Sequence, residues 1–143
     1  MPLLNERDQA AVRTEFEKLA GPVKLVVFSQ ELAAADLCRQ NEALVREVAE
    51  LAPETITVEV LNPAIDRDRA AAYNVERVPA IVVEGARDYG IRFLGFPGGY
   101  EFANLIDSIL VASSGEPGLT EDTKASLAAL ADDVTIKVFT TPT

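Results

Sequence analysis

One thiol dominates the chemistry this chain could perform. Cys38 closes the run Ala35-Asp36-Leu37-Cys38, and the 143 residues hold no second cysteine and no histidine. A cysteine near a helix start can gain thiolate character from the helix dipole and the free N–H groups there. A dithiol exchange cycle, however, needs two sulfurs about one turn apart. A lone cysteine closes no intrachain disulfide and builds no structural zinc site. The lack of histidine removes Ser-His and Cys-His pairs together with every His-containing metal site. Asp66-Arg67-Asp68 looks like the start of a calcium loop, but the glycine and terminal glutamate of that loop are missing. It reads as a helix start. Gly98-Gly99 precedes a helical stretch without a P-loop or G-x-G-x-x-G pattern, so a tight turn is expected rather than a phosphate cradle. No cofactor and no metal are expected.

The composition narrows the partners. A net charge of -10 repels phosphate backbones, and Tyr73, Tyr89 and Tyr100 are too scattered to form a stacking platform, so nucleic acid is not expected. Between residues 101 and 133 the acidic side chains Glu101, Asp107, Glu116, Glu121, Asp122, Asp132 and Asp133 face only Lys124, which reads as a solvated acidic surface. The 48% hydrophobic content supports one sizeable core. No apolar run approaches the ~20 residues that span a bilayer, and the first residues lack a signal-like apolar stretch, so a cytoplasmic protein without a membrane partner is expected.

The elements that must position Cys38 can be read from periodicity. Asn5 caps a helix over 6–20, with Val12, Phe16, Leu19 and Ala20 as its apolar stripe and Gly21-Pro22 as its stop. Residues 23–28 form an apolar, β-branched run, the pattern of a central strand buried on both faces. A helix follows over 33–51, with Leu37, Leu44, Val45, Val48 and Leu51 at helical spacing. Next come a strand over 55–61 and a short helix over 66–73. Residues 78–83 enter a strand through Pro79 and pair with 90–95 as a hairpin. A helix over 100–111 buries Phe102, Leu105, Ile106, Ile109 and Leu110. After a Ser, Gly and Pro-rich linker, Thr120 caps a helix over 121–131, and residues 134–139 read as a further strand. The helix-to-strand unit ending in Val23-Lys24-Leu25-Val26-Val27-Phe28 thus recurs, ending in Val134-Thr135-Ile136-Lys137-Val138-Phe139.

From residue 23 to 111 the order is strand, helix, strand, helix, strand, strand, helix, with one extra helix in front. A βαβ crossover, a helix and a β-hairpin closed by a last helix describe an α/β thioredoxin-like fold, a four-stranded mixed sheet flanked by helices. A fragment of a doubly wound sheet is the alternative, which the hairpin disfavours. The expected division is a thioredoxin-like unit over 1–112 without Cys-x-x-Cys, a linker over 113–119, and the first helix and strand of a second unit over 120–143.

With the elements placed, Val78-Pro79-Ala80 and the stretch from Gly90 through Gly95-Phe96-Pro97-Gly98-Gly99-Tyr100-Glu101-Phe102 resemble the N-terminal half of the glutaredoxin-like protein disulfide oxidoreductases, which carry two thioredoxin-fold units in tandem. The N-terminal domain of the alkyl hydroperoxide reductase flavoprotein is similar at the same places. The likeness extends through Asp122-Thr123-Lys124 to Val138-Phe139-Thr140-Thr141-Pro142-Thr143, after which these families continue with Cys-x-x-Cys. The resemblance implies that Cys38 matches the second, shielded cysteine of that motif and that Ala35 stands where the nucleophile would be. Cys38 is then a vestigial catalytic residue, and an inert buried thiol is favoured over a reactive one. It also implies that Pro79 is the proline that is cis in these folds, and that Val78 and Pro79 border extended substrate. A proline that only shapes the strand entry is the alternative.

Two functional readings remain open. One is a redox-inactive N-terminal unit that scaffolds or binds substrate for a thiol–disulfide exchange protein, whose partners through the full-length protein are protein thiols or disulfides. The other is a standalone thioredoxin-fold binding or assembly module. A residual oxidoreductase using Cys38 in an intermolecular disulfide is a weaker third. An unpaired apolar strand is unfavourable, so residues 134–143 are expected to pair with another chain, a homodimer through 120–143 included, to dock on the first unit, or to stay disordered.

Overall fold

A computed structural model describes residues 2–141. Nine elements follow one another: α1 (Glu6–Phe16), β1 (Val23–Phe28), α2 (Ala35–Glu50), β2 (Ile56–Leu61), α3 (Arg67–Ala72), β3 (Ala80–Glu84), β4 (Asp88–Leu94), α4 (Tyr100–Ser114) and α5 (Glu121–Ala128). The strands form one sheet in the order β2-β1-β3-β4. β1 runs parallel to β2, with Val23 opposite Ile56 and Phe28 opposite Leu61, and antiparallel to β3, with Phe28 opposite Ala80. β3 and β4 form the hairpin, with a register shift at Val83/Glu84 where Gly90 adopts a φ of +85°. Only Lys24 breaks the burial of β1, as suits a central strand. No helix among the described residues is long and apolar enough to cross a membrane.

Side chains alternate between the two faces of the sheet. On one face Val23, Leu25 and Val27 of β1 and Ile81 and Val83 of β3 pack with Val12 and Phe16 of α1, Leu44, Val45 and Val48 of α2, and Leu105, Ile106 and Ile109 of α4. Each such buried aliphatic or aromatic side chain contributes about 1.5–3 kcal/mol relative to an exposed one. On the other face Val26, Phe28, Leu61, Ala80 and Val82 are covered by Ala70 of α3 and by Val75.

Farther along, the second face is closed by charge, with residues of α3 taking part. Arg69 of α3 donates two hydrogen bonds of 2.9 Å to the Glu59 carboxylate, and Lys24 lies 3.6 Å from Glu59 and 3.8 Å from Glu84. The Tyr73 hydroxyl donates to Glu84 at 2.6 Å, while the guanidinium groups of Arg69 and Arg92 lie 5.7 and 5.6 Å from its ring centre. Arg92 grips Asp88 through bonds of 2.8 and 2.6 Å. The hydrogen bonds from Arg69 hold the Glu59 carboxyl below its ordinary pKa, against the opposing effect of burial. Arg92 does the same for Asp88. Lys24 is desolvated, which opposes its charge, yet Tyr73, Glu84 and Glu59 together raise its pKa.

The caps follow sequence chemistry. Asn5 accepts the Asp8 N–H at 2.9 Å and Thr120 accepts the Thr123 N–H at 3.2 Å. Gly115, with a φ of +71°, ends α4 by donating to the Val111 carbonyl at 2.8 Å. Ahead of α1, Leu3 and Leu4 donate their N–H groups to the Glu47 carboxylate of α2 at 2.7–2.9 Å, which fastens the N-terminal segment to the core.

Several expectations are corrected. α1 ends at Phe16, not 20, and Ala20 is exposed. Leu37 is 39% exposed rather than part of the buried stripe of α2. α4 runs to Ser114 rather than ending at 111. Residues 134–139 form no strand, and Val134, Ile136, Val138 and Phe139 are 64–90% exposed. A strand exists only through its ladder, and neither sheet edge, β2 or β4, receives this segment. Pro142 and Thr143 lie outside the described residues.

Candidate functional site

The carboxyl ends of β1 and β2 point the same way because the two strands are parallel, and loops leaving such ends are where open α/β sheets bind ligands. Residues 29–34 leave β1 here and lead into α2. The Ser29 N–H still pairs with the Leu61 carbonyl at 2.9 Å. Leu32 is then 98% exposed, and Ala34, the N-cap of α2, sits in the left-handed region at φ 51° without a side-chain cap bond. The first turn of α2 carries Ala35, Asp36 paired with Arg39, and the outward Leu37.

Cys38 comes one turn in and is 1% exposed. Its N–H is already engaged by the Ala34 carbonyl at 2.9 Å, and its Sγ lies 3.8 Å from the Ala33 carbonyl oxygen, a weak thiol–carbonyl contact. The free donors that would stabilise a thiolate therefore belong to the turn before it, where Ala35 offers no sulfur.

The pairing of Phe28 with Ala80 brings the start of β3 to this same end of the sheet. The Val78–Pro79 peptide bond is cis. Pro79 is buried, and its carbonyl accepts the Gly95 N–H at 2.9 Å. Val78 is half-buried, and its N–H and C=O have no backbone partner among the described residues. Cys38 and the Val78–Pro79 pair thus share one end of the fold, with the sulfur beneath the surface.

An open groove of about 480 Å³ lies beside them, lined by Ser29, Gln30, Leu32, Val60, Asn62 and Asp66 among others. It touches neither Cys38 nor Pro79. The Asp66 carboxylate accepts the Asn62 N–H at 2.8 Å, so Asp66 organises the loop after β2. Among the described residues no group of three or more Cys, Asp or Glu side chains is arranged to hold a metal ion.

Sequence reasoning missed Asn41. It lies one turn after Cys38 on the same face of α2, is 0% exposed, and neither atom of its side-chain amide has a hydrogen-bond partner among the described residues. The signal was present: Cys38, Asn41, Val45 and Val48 follow helical spacing, and all four are buried.

No protein-family model matches the chain, and no curated protein matches it significantly. Solved structures do. The alkylhydroperoxide reductase AhpF from Enterococcus faecalis superposes with a TM-score of 0.79 at 24% identity, over 89% of this chain and 61% of that one. The NTD_N/C domain of AhpF from the same organism gives 0.75 at 22% identity, again over 89% and 61%. A protein disulfide oxidoreductase from Aeropyrum pernix K1 gives 0.76 at 26% identity, over 88% of this chain and 55% of its own. This chain therefore spans about three fifths of the length of those structures or less. Mixed four-stranded sheet, helices on both faces and these neighbours together make the fold thioredoxin-like, with solved counterparts among the proteins that the sequence resembles.

Proposed function

We propose that this chain is the redox-inactive N-terminal unit of a thiol–disulfide exchange protein of the cytoplasm, in which it scaffolds or binds extended substrate. In this reading residues 1–112 are a thioredoxin-like unit, 113–119 a linker, and 120–143 the beginning of a second unit. The observation that carries it is the placement of sulfur: the one thiol is buried at 1% exposure, and the helix start where an attacking cysteine would sit holds Ala35. Without a second sulfur the dithiol cycle cannot turn over. What the site retains is the half-buried Val78, whose N–H and C=O have no backbone partner among the described residues and are suited to main-chain hydrogen bonds with an extended peptide. Val78 and Pro79 are assigned to substrate binding, and Cys38 to a vestigial position.

The exposed Leu127, Leu130, Val134, Ile136, Val138 and Phe139 give 120–143 an apolar surface that favours a protein partner, a second unit of the same protein or a second copy of this chain. Protein thiols or disulfides are the partners of the whole.

Insulin reduction by dithiothreitol tests the redox assignment. Wild type and Cys38→Ala are expected to leave the reagent's own rate unchanged. Acceleration by the wild type that disappears in Cys38→Ala would overturn it. A coding sequence that continues past Thr143 into Cys-x-x-Cys would decide for the tandem protein over a standalone binding module, and a stop codon there would decide against it.

A further inference from the structure

Asn41 has no role in the reading above, yet a buried side-chain amide without a hydrogen-bond partner among the described residues is costly to close over. Its position says what it opposes. Helical side chains lean toward the N-terminus of their helix, so the amide of Asn41 lies over the turn that carries Cys38. The lid over that turn is weakly held: Leu32 is 98% exposed, and among the described residues backbone bonds tie residues 29–34 only at Ser29 and at the Ala34 carbonyl, beside the long Cys38 Sγ contact to Ala33. Opening of residues 29–38 would give the Asn41 amide water, and of these residues only Cys38 is buried.

We infer that the first turn of α2 opens locally against the burial of Asn41, and that the opened state makes Cys38 a modification site for small-molecule disulfides. The Cys38 thiolate, having lost its proton to solvent, attacks one sulfur of the disulfide. The S–S bond breaks, a mixed disulfide forms at Cys38, and the second sulfur departs as a thiolate. The external disulfide is the oxidant. One sulfur is capped per chain and no turnover follows, so the inference is independent of the inactive assignment above.

Native-state labelling with an aromatic disulfide such as dithionitrobenzoate, followed by release of the coloured thiolate, tests this. Labelling of the wild type is expected to be independent of urea well below the unfolding transition, because the opening is local. Asn41→Leu removes the orphan amide and is expected to slow labelling roughly tenfold or more. A labelling rate that climbs with urea as steeply as global unfolding would overturn the proposal. So would a rate unaltered by Asn41→Leu. If that variant folds poorly, Asn41→Ala serves in its place, and the urea dependence of the wild type decides on its own. The inactive assignment fails separately, through catalytic insulin reduction.

Discussion

Val26 and Val27 are neighbours on the same strand and are both fully buried, yet they live under different covers. Val27 faces hydrocarbon from α1, α2 and α4, and Val26 faces the single short helix α3. The first face is closed by apolar area, with Asn41 of α2 as its one fully buried polar side chain among the described residues. The second is closed by area near Phe28 and Ala80, and farther along by the ion pairs that join Lys24, Glu59, Arg69 and Glu84 and the pair of Arg92 with Asp88. Area is insensitive to pH, whereas exposed ion pairs are worth less and titrate. The two sides of one sheet should therefore fail under different conditions.

The sharpest way to break this contrast is to remove the same side chain from each face. Leu25→Ala, on the three-helix face, is expected near the upper part of the ~2–5 kcal/mol range for such truncations, and Leu61→Ala, under α3, near the lower. Equal losses in urea denaturation would erase the distinction. Gly85 probes how tightly α4 seals the first face against the hairpin. A Cβ there would meet the Ala112 carbonyl oxygen at 1.9 Å, so Gly85→Ala should cost about 1–3 kcal/mol through forced displacement. Unchanged stability would mean that the hairpin is free to move away.

The smallest effect belongs to the charged face, and its sign is fixed by the shifts. Because the pKa of Glu59 is depressed in the folded state, its contribution is present above the unfolded value of about 4.3 and is lost as pH falls through the lower folded value. Glu59→Gln should flatten the acid limb of the stability curve. Lys24 behaves oppositely: its raised pKa makes its contribution complete below about 10.4 and lost as pH rises through the folded value. An acid limb unchanged in Glu59→Gln, measured by urea midpoints across pH, would remove the ion pairs from the account.

The first face was legible in the sequence because periodicity reports burial. The run from Val23 to Phe28 carries its own strand signal, and Leu105, Ile106 and Ile109 carry a helical one. The element order, and with it the fold, followed. What could not be read depends on partners distant in sequence. Lys24 looks like an interruption of β1 until Glu59 and Glu84 are placed on either side of it. Val134 to Phe139 has nearly the composition of β1 but no adjacent strand to complete it, so the same local pattern is central in one case and exposed in the other. At the site, Cys38 and Pro79 were legible as residue types. The missed feature was Asn41, a polar residue inside an apolar period, which shows its meaning only once its lack of partners is known.

The position of β1 between β2 and β3 has a consequence for biosynthesis. Of the four strands of the sheet β1 is made first, it is almost wholly buried and interior, and its antiparallel neighbour begins only at Ala80. At roughly 5–20 residues per second, the stretch from Phe28 to Ala80 takes about 3–10 s to translate. Throughout that interval one edge of β1 is unsheltered and open to pairing with another nascent chain. The elements that precede β3 cover the faces of β1 and its β2 edge but leave the β3 edge open, so slow translation between Leu61 and Ala80 would favour aggregation over folding.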